Sequence, residues 1–168
     1  RMALYQRFLE VFARGLQLSE ENCERVTIAY EGKELSALYV RAEGVQGPAP
    51  ILVQVNGLDS TKEMKYRVGL PAWLAKRGVS SLIVDQPGTG EALRLHGLTA
   101  RFDSEHWASR VVDWLETRPE VDAKRIGMEF TIEFGRALLA AGAPGLHIFC
   151  LNQAAAATEV ARGVGLVG

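Results

Sequence analysis

The sequence predicts an α/β fold on a single mixed sheet. Two β-rich segments separated by a two-residue turn signal come first, which marks a hairpin. From residue 51 onward, apolar runs of strand length alternate with helix-length spacers, the pattern of parallel βα units with right-handed crossovers. Ahead of both, residues 2–17 repeat apolar side chains every three or four positions and so form an amphipathic lead helix.

Each element has its own signal. In the lead helix Leu4, Tyr5, Phe8, Leu9, Phe12 and Leu16 make one face, which reads as a packing surface. Residues 25–31 and 34–41 are rich in β-branched and aromatic residues, and Gly32-Lys33 between them is the expected turn. Gly44 to Pro50 reads as a loop. Ile51 to Val55 is a nearly continuous apolar run, suited to a strand covered on both faces. Residues 63–77 suit a helix with Met64, Leu70, Trp73 and Leu74 on its apolar side, kinked or restarted at Pro71 and stopped at Gly78. A strand at 79–84 leads into Asp85-Gln-Pro-Gly-Thr-Gly90 and a linker. A helix follows from about Ser104 to Thr117, with Asp103 as its expected N-cap. Residues 118–122 read as a turn, 125–128 as a short strand, 132–141 as a helix and 146–151 as a buried strand. The strands at 51–55, 79–84, 125–128 and 146–151 are expected to be parallel. Residues 1–20, 21–153 and 154–168 then divide into lead helix, α/β domain and Ala/Gly-rich tail.

Composition narrows the function. The 168 residues include nineteen basic and twenty acidic side chains, a net charge of -1, so nothing draws the chain to nucleic acid or anionic lipid in bulk. Cys23 and Cys150 are too few for a disulfide framework, and with the histidines they show no metal-ligand spacing. No apolar run reaches the ~18 residues of a membrane span. The expectation is a cytoplasmic protein without metal or cofactor. Beyond residue 136 only Glu159 and Arg162 are charged, and the chain opens with Arg1 ahead of Met2. Both ends therefore read as boundaries of a piece.

In a parallel sheet ligands gather at the carboxyl ends of the strands. Behind the first parallel strand stands Asn56-Gly-Leu-Asp-Ser-Thr-Lys-Glu63. A Gly there lets backbone N–H groups turn outward, as an oxyanion hole requires. Asp59, Ser60 and Thr61 suit helix capping equally well, and Ser60 with Glu63 has capping-box spacing. The two roles are compatible. Behind the second strand, Gly88-Thr-Gly90 lacks the third glycine and the Lys-Ser/Thr pair of phosphate loops, and Glu91 would repel a phosphate. A tight strand-to-loop turn is the better reading. His96 falls in the linker, His106 in the first turn of its helix, and His147 with Cys150 in an apolar strand, where both read as interior residues.

Taken together, three motifs resemble the α/β-hydrolase family. They are Gly57-Leu-Asp-Ser-Thr-Lys-Glu63, Asp85-x-Pro-Gly-x-Gly-Glu91, and Asp113-Trp-Leu-x-x-Arg-Pro-Glu-Val-Asp-x-x-Arg-Ile-Gly127, each at the end of a strand or before one. The similarity is greatest to the branch containing 2,6-dihydroxypseudooxynicotine hydrolase and the fermentation–respiration switch proteins, and it covers about residues 3–129. It implies an α/β-hydrolase fold and a serine hydrolase cleaving esters, or carbon–carbon bonds next to a carbonyl. By the same resemblance the oxyanion hole falls at Gly57 and Leu58. Asp59, Ser60, Lys62, Glu63 and Asp85 then fall at the mouth of a pocket for a small carbonyl compound.

The catalytic apparatus departs from the family. Its nucleophile sits in a strand-to-helix turn written Gly-x-Ser-x-Gly. Alignment on Arg125-Ile-Gly-Met-Glu129 places that turn at Phe130-Thr-Ile-Glu-Phe134, so Ile132 occupies the serine position and Phe both glycine positions. Thr131 is one residue out of place. The acid and histidine that should follow are missing too: His147 comes too early, and Glu159 has no histidine after it. Three readings follow. The chain is the N-terminal part of a serine hydrolase without its catalytic half, or a non-catalytic binding module, or an enzyme of another kind using Cys150 or Asp59 with Asp85. On the first reading the strand at 146–151 is an open edge, and self-association through it is expected.

Overall fold

The computed structural model describes residues 2–57, 59–126, 139–140 and 154–166. The expected strand 146–151, the turn at 130–134 with Ile132, and Leu58 lie outside the described residues. So do His147, Cys150, and the expected helix 132–141 apart from residues 139–140.

Among the described residues a five-stranded sheet has the order β1-β2-β4-β3-β5. The strands are β1 (Glu24–Tyr30), β2 (Lys33–Val40), β3 (Ala49–Val55), β4 (Ser80–Val84) and β5 (Val121–Ile126). β1 pairs antiparallel with β2, and β2 with β4, whereas β3 runs parallel to both β4 and β5. The mixed sheet expected from the spacing is therefore present, with three parallel strands. The hairpin turn is Glu31-Gly32, not Gly32-Lys33, because both residues have positive φ (48° and 70°) and Tyr30 pairs with Lys33. That is the two-residue turn whose twist matches a hairpin, and it needs left-handed backbone at both positions.

The helices are α1 (Met2–Leu18), α2 (Lys62–Arg67), α3 (Leu70–Ala75), α4 (Gly90–Arg94), α5 (Glu105–Glu116) and α6 (Ala154–Gly163). The expected helix over 63–77 is two helices. Gly69, at φ 89°, breaks it, and Pro71 opens the second, where its missing N–H costs nothing. Asp103 does not cap α5. Ser104 stands at the N-cap, and the Asp103 carboxylate is taken by Arg101, Nη2 to Oδ2 at 2.7 Å. α4 replaces the first part of the expected linker. β5 begins at Val121, inside the expected turn, because Val121 is buried and the Ala49 N–H donates to the Glu120 carbonyl at 3.0 Å. Its Asp-Ala-Lys-Arg stretch, exposed from Ala123 to Arg125 and bulged between the Ala49 and Ile51 pairings, carries no apolar alternation to announce it.

The sheet is the middle of three layers. On one face Leu35, Ala37 and Tyr39 of β2 with Leu82 and Val84 of β4 pack against Trp107, Val111 and Leu115 of α5. On the other, Leu38, Val40 and Ile83 pack against Leu16 and Phe12 of α1, Tyr66 of α2 and Ala75 of α3. The period-two alternation of β2 and β4 thus feeds both cores. The connection leaving β3 runs to the second face and the one leaving β4 to the first. A crevice is left outside the carboxyl ends of two adjacent parallel strands, at the topological switch point.

Leu82 is wholly buried in the central strand and Phe102 wholly exposed. Leu82→Ala is expected to lower the urea-unfolding free energy by about 2–5 kcal/mol, and Phe102→Ala to leave it unchanged within error.

Candidate active site

Two loops meet at the switch point, residues 56–61 after β3 and 85–89 after β4. The first is a turn closed by the Ser60 N–H on the Gly57 carbonyl at 3.2 Å, with Asp59 held at φ 62°. Left-handed backbone is tolerable for Asp and strained for most other side chains. Thr61 ends the loop as the N-cap of α2, its hydroxyl accepting from the Met64 N–H at 3.4 Å. The cap is thus Thr61. The expected Ser60–Glu63 capping box does not form, because the Glu63 carboxylate turns inward to Lys62 at 2.7 Å.

Of the residues expected at the pocket mouth, Asp59 is exposed and Ser60 half-buried, and Gly57 near them in the same loop is exposed. Lys62, Glu63 and Asp85 are enclosed beneath the loops. Lys62 is 0% exposed and its ammonium meets three carboxylates: Glu63 at 2.7 Å, Asp85 at 3.0 Å, and Glu91. All three ammonium protons are therefore used. Asp85 accepts four hydrogen bonds. They come from the Lys62 backbone N–H (2.9 Å), the Lys62 ammonium, the Glu91 N–H (3.0 Å) and the Asn56 side-chain amide. Glu91 also takes the Ser36 hydroxyl at 3.0 Å and Arg25 at 2.8 Å. One charge cluster therefore joins β1, β2, the β3 exit, α2, the β4 exit and α4.

The Gly-x-Gly at 88–90 serves this cluster. A Cβ on Gly90 would lie 2.0 Å from the Asp85 carboxyl, and one on Gly88 would lie 2.7 Å from the Ala100 side chain. The glycines let the chain close over a carboxylate and not over a phosphate. Glu63, Asp85 and Glu91 converge within 4.8 Å, close enough for a metal ion, but the Lys62 ammonium already binds all three. Sequence reasoning placed Lys62, Glu63 and Asp85 at a pocket mouth but missed that they are buried together with Glu91, because partners distant in sequence decide that burial. The one available signal was a Lys-Glu pair and an Asp–Glu pair at the ends of adjacent parallel strands.

Burial favours a neutral Lys62, but Asp85, Glu63 and Glu91 outweigh it and raise its pKa above the usual lysine value. Burial would raise the Glu91 carboxyl, yet Lys62 and Arg25 hold it below the ordinary carboxylate range. Burial also pushes the Cys23 thiol up to about 12, so it is no thiolate nucleophile near neutral pH.

At the crevice itself Asn56 precedes Gly57, and the Gln86 side-chain amide lies alongside it. The Asn56 N–H donates to Gln86 Oε1 at 2.9 Å, and Gln86 Nε2 donates to the Asn56 carbonyl at 2.6 Å. The Gly57 N–H has no acceptor among the described residues. Of the two expected oxyanion donors, Gly57 is thus exposed with a free N–H, and Leu58 lies outside the described residues.

Two outcomes follow. Because the folded Glu91 pKa is depressed, its contribution is present above the unfolded carboxyl value, about 4.3, and fades as pH falls through the folded value. Lys62→Met reverses the sign. At pH 7 it should cost about 3–5 kcal/mol by leaving buried carboxylates without their counter-ion. That deficit should shrink toward pH 5 as one of them takes a proton, read by urea titrations across pH. Gly90→Ala, with its Cβ on the Asp85 carboxyl, should cost about 2–4 kcal/mol by the same measurement at pH 7.

Comparison with known proteins agrees with this fold. A family model described as Esterase FrsA-like matches residues 10–143. Hydrolase acrC of Aspergillus aculeatus is 34% identical over 131 residues, 70% of this chain and 30% of that protein. Alpha/beta hydrolase ucsC of Acremonium sp is 32% identical over 136 residues, 72% of this chain and 27% of that protein. The 2,6-dihydropseudooxynicotine hydrolase of Paenarthrobacter nicotinovorans is 28% identical over 73% of this chain and 32% of its own length. The chain spans about a third or less of the length of these relatives. The crystal structure of the 2,6-dihydroxy-pseudo-oxynicotine hydrolase superposes with a TM-score of 0.64 at 24% identity, over 79% of this chain and 38% of that one, which carries the fold. The chain belongs to the FrsA-like esterase family and has the α/β-hydrolase fold.

Proposed function

We propose that this chain builds the oxyanion side of an α/β-hydrolase site for a small carbonyl compound, an ester or a ketone with a cleavable carbon–carbon bond, and does not itself turn it over. The observation that carries the first half is the exposed Gly57 N–H, unpaired among the described residues, at the carboxyl end of β3. A backbone donor held there lies where a developing oxyanion is stabilised in acyl transfer. For the second half, the support is chemical. The family match extends to residue 143, and the alignment on Arg125-Ile-Gly-Met-Glu129 puts Ile132 at the serine position of the nucleophile turn. No Gly-x-Ser-x-Gly occurs anywhere in the chain. Without a nucleophile and base, only binding and donor effects remain to accelerate hydrolysis.

A second reading has the same support. A chain matched to residue 143 that has no Gly-x-Ser-x-Gly also suits a non-catalytic binding module of this family, with the crevice kept as a ligand site.

Incubation with a fluorophosphonate probe should give no labelling that depends on the native fold, and p-nitrophenyl butyrate should hydrolyse at the buffer rate. Native-specific labelling would sink the inactive reading. Labelling at Ser60 would move the chemistry to a different nucleophile.

A further inference from the structure

The geometry points to Gln86 as the residue that orients the oxyanion donor: its side-chain amide pins the Asn56–Gly57 peptide so that the Gly57 N–H points away from the β4 loop, to the β5 side of the β3 exit. The inference rests on the proposed oxyanion role of Gly57 and adds what sets that donor's direction.

A peptide unit is planar, and no cis bond occurs among the described residues, so the Gly57 N–H points opposite to the Asn56 carbonyl. Whatever holds that carbonyl therefore aims that N–H. Gln86 Nε2 holds it at 2.6 Å, while Gln86 Oε1 accepts from the Asn56 N–H at 2.9 Å. Because one partner is a donor and the other an acceptor, only one orientation of the Gln86 amide satisfies both. The side chain thus supplies to Asn56 the two bonds a neighbouring strand would supply, one residue beyond the last β3–β4 pairing, Val55 with Val84.

Gln86 is itself fixed. Its carbonyl accepts from the Thr89 N–H and the Thr89 hydroxyl, each at 3.0 Å. Its predecessor Asp85 is bound by four donors, and one of them is the Asn56 side-chain amide. Asn56 is consequently held through its side chain by Asp85 and through its backbone by Gln86. The peptide that follows has no freedom to turn its N–H back toward β4. Gln86 touches no reacting atom in this arrangement; it is a positioning residue.

Amide NMR of the native chain and two variants tests this at pH 7, with thermal unfolding as the check on the fold. The Gly57 nitrogen resonance reads the hydrogen bond at the preceding carbonyl, and exchange of the Asn56 amide reads the bond to Gln86 Oε1. Gln86→Leu removes both bonds. The Gly57 resonance should shift and the Asn56 amide should exchange about tenfold faster, one hydrogen bond's worth. Gln86→Glu keeps an acceptor and loses the donor, so Asn56 protection should persist while Gly57 shifts as in the Leu variant. Purely structural support would change both readouts together or neither.

Titration with butyrate, the carboxylate product of a butyrate ester, joins this geometry to the proposed function. The native Gly57 amide proton should shift saturably, with an apparent Kd about tenfold weaker in both variants. A Gly57 resonance unmoved in both variants overturns the assignment to Gln86 and leaves the hydrolase reading standing. A Gly57 that moves in the variants but never responds to butyrate overturns the oxyanion role and, with it, this inference.

Discussion

Everything near the crevice depends on one buried ammonium. Lys62 has no contact with water and binds three carboxylates from α2, the β4 exit and α4. A lysine in an apolar interior would give up its proton; here the surrounding negative charge keeps it. The loops then have little freedom. Asp85 must face inward to reach Lys62, which draws the chain over Gly90 and turns the next residue, Gln86, toward Asn56.

The arrangement also explains the division of labour between the two cores. The apolar layers fix the sheet and its helices without specifying any loop, since hydrophobic contact is not directional. The charge cluster is directional, and it lies where the two layers open at the ends of β3 and β4. Buried charge is a doubtful source of net stability when weighed against an apolar substitute. Its value here is geometric: it fixes two loops of a ligand crevice relative to each other at a point where the backbone ladder has run out.

Much of the fold was legible in the sequence because it follows from periodicity. The three-and-four spacing of α1, the β-rich pair around residue 32 and the apolar runs at β3 and β4 each announce themselves, and Pro71 marked the restart at α3. What was hidden was non-periodic or charged. β5, the last strand of the sheet among the described residues, has Asp122, Lys124 and Arg125, which give no alternation, and α4 has only five residues behind a glycine-rich turn. In the site, Gly57 was legible as the residue after a buried strand. Lys62, Glu63 and Asp85 were legible as neighbours of the crevice, but not as its foundation, because burial of a charge is decided by partners distant in sequence. The Gln86 contact left no trace at all: a side chain bonding to backbone has no residue pattern.

The same Asn56-Gly57 pair has a chemical liability that the fold suppresses. In an extended chain the nitrogen of a glycine following asparagine readily attacks the side-chain amide carbon, expelling ammonia to form a succinimide that water opens to aspartate or isoaspartate. Here the Asn56 amide is tied to Asp85 and to the Val84 carbonyl, and its backbone is held by Gln86, so these bonds must break before the side chain can swing onto the glycine nitrogen. A molecule that spends time unfolded loses this protection. On refolding, an aged residue 56 would set a second carboxylate against Asp85 in place of a donor. The hypothesis is that chemical ageing at Asn56, read by peptide mapping after incubation in and out of denaturant, records the history of the chain's folding. Ageing at equal rates in both conditions would contradict it.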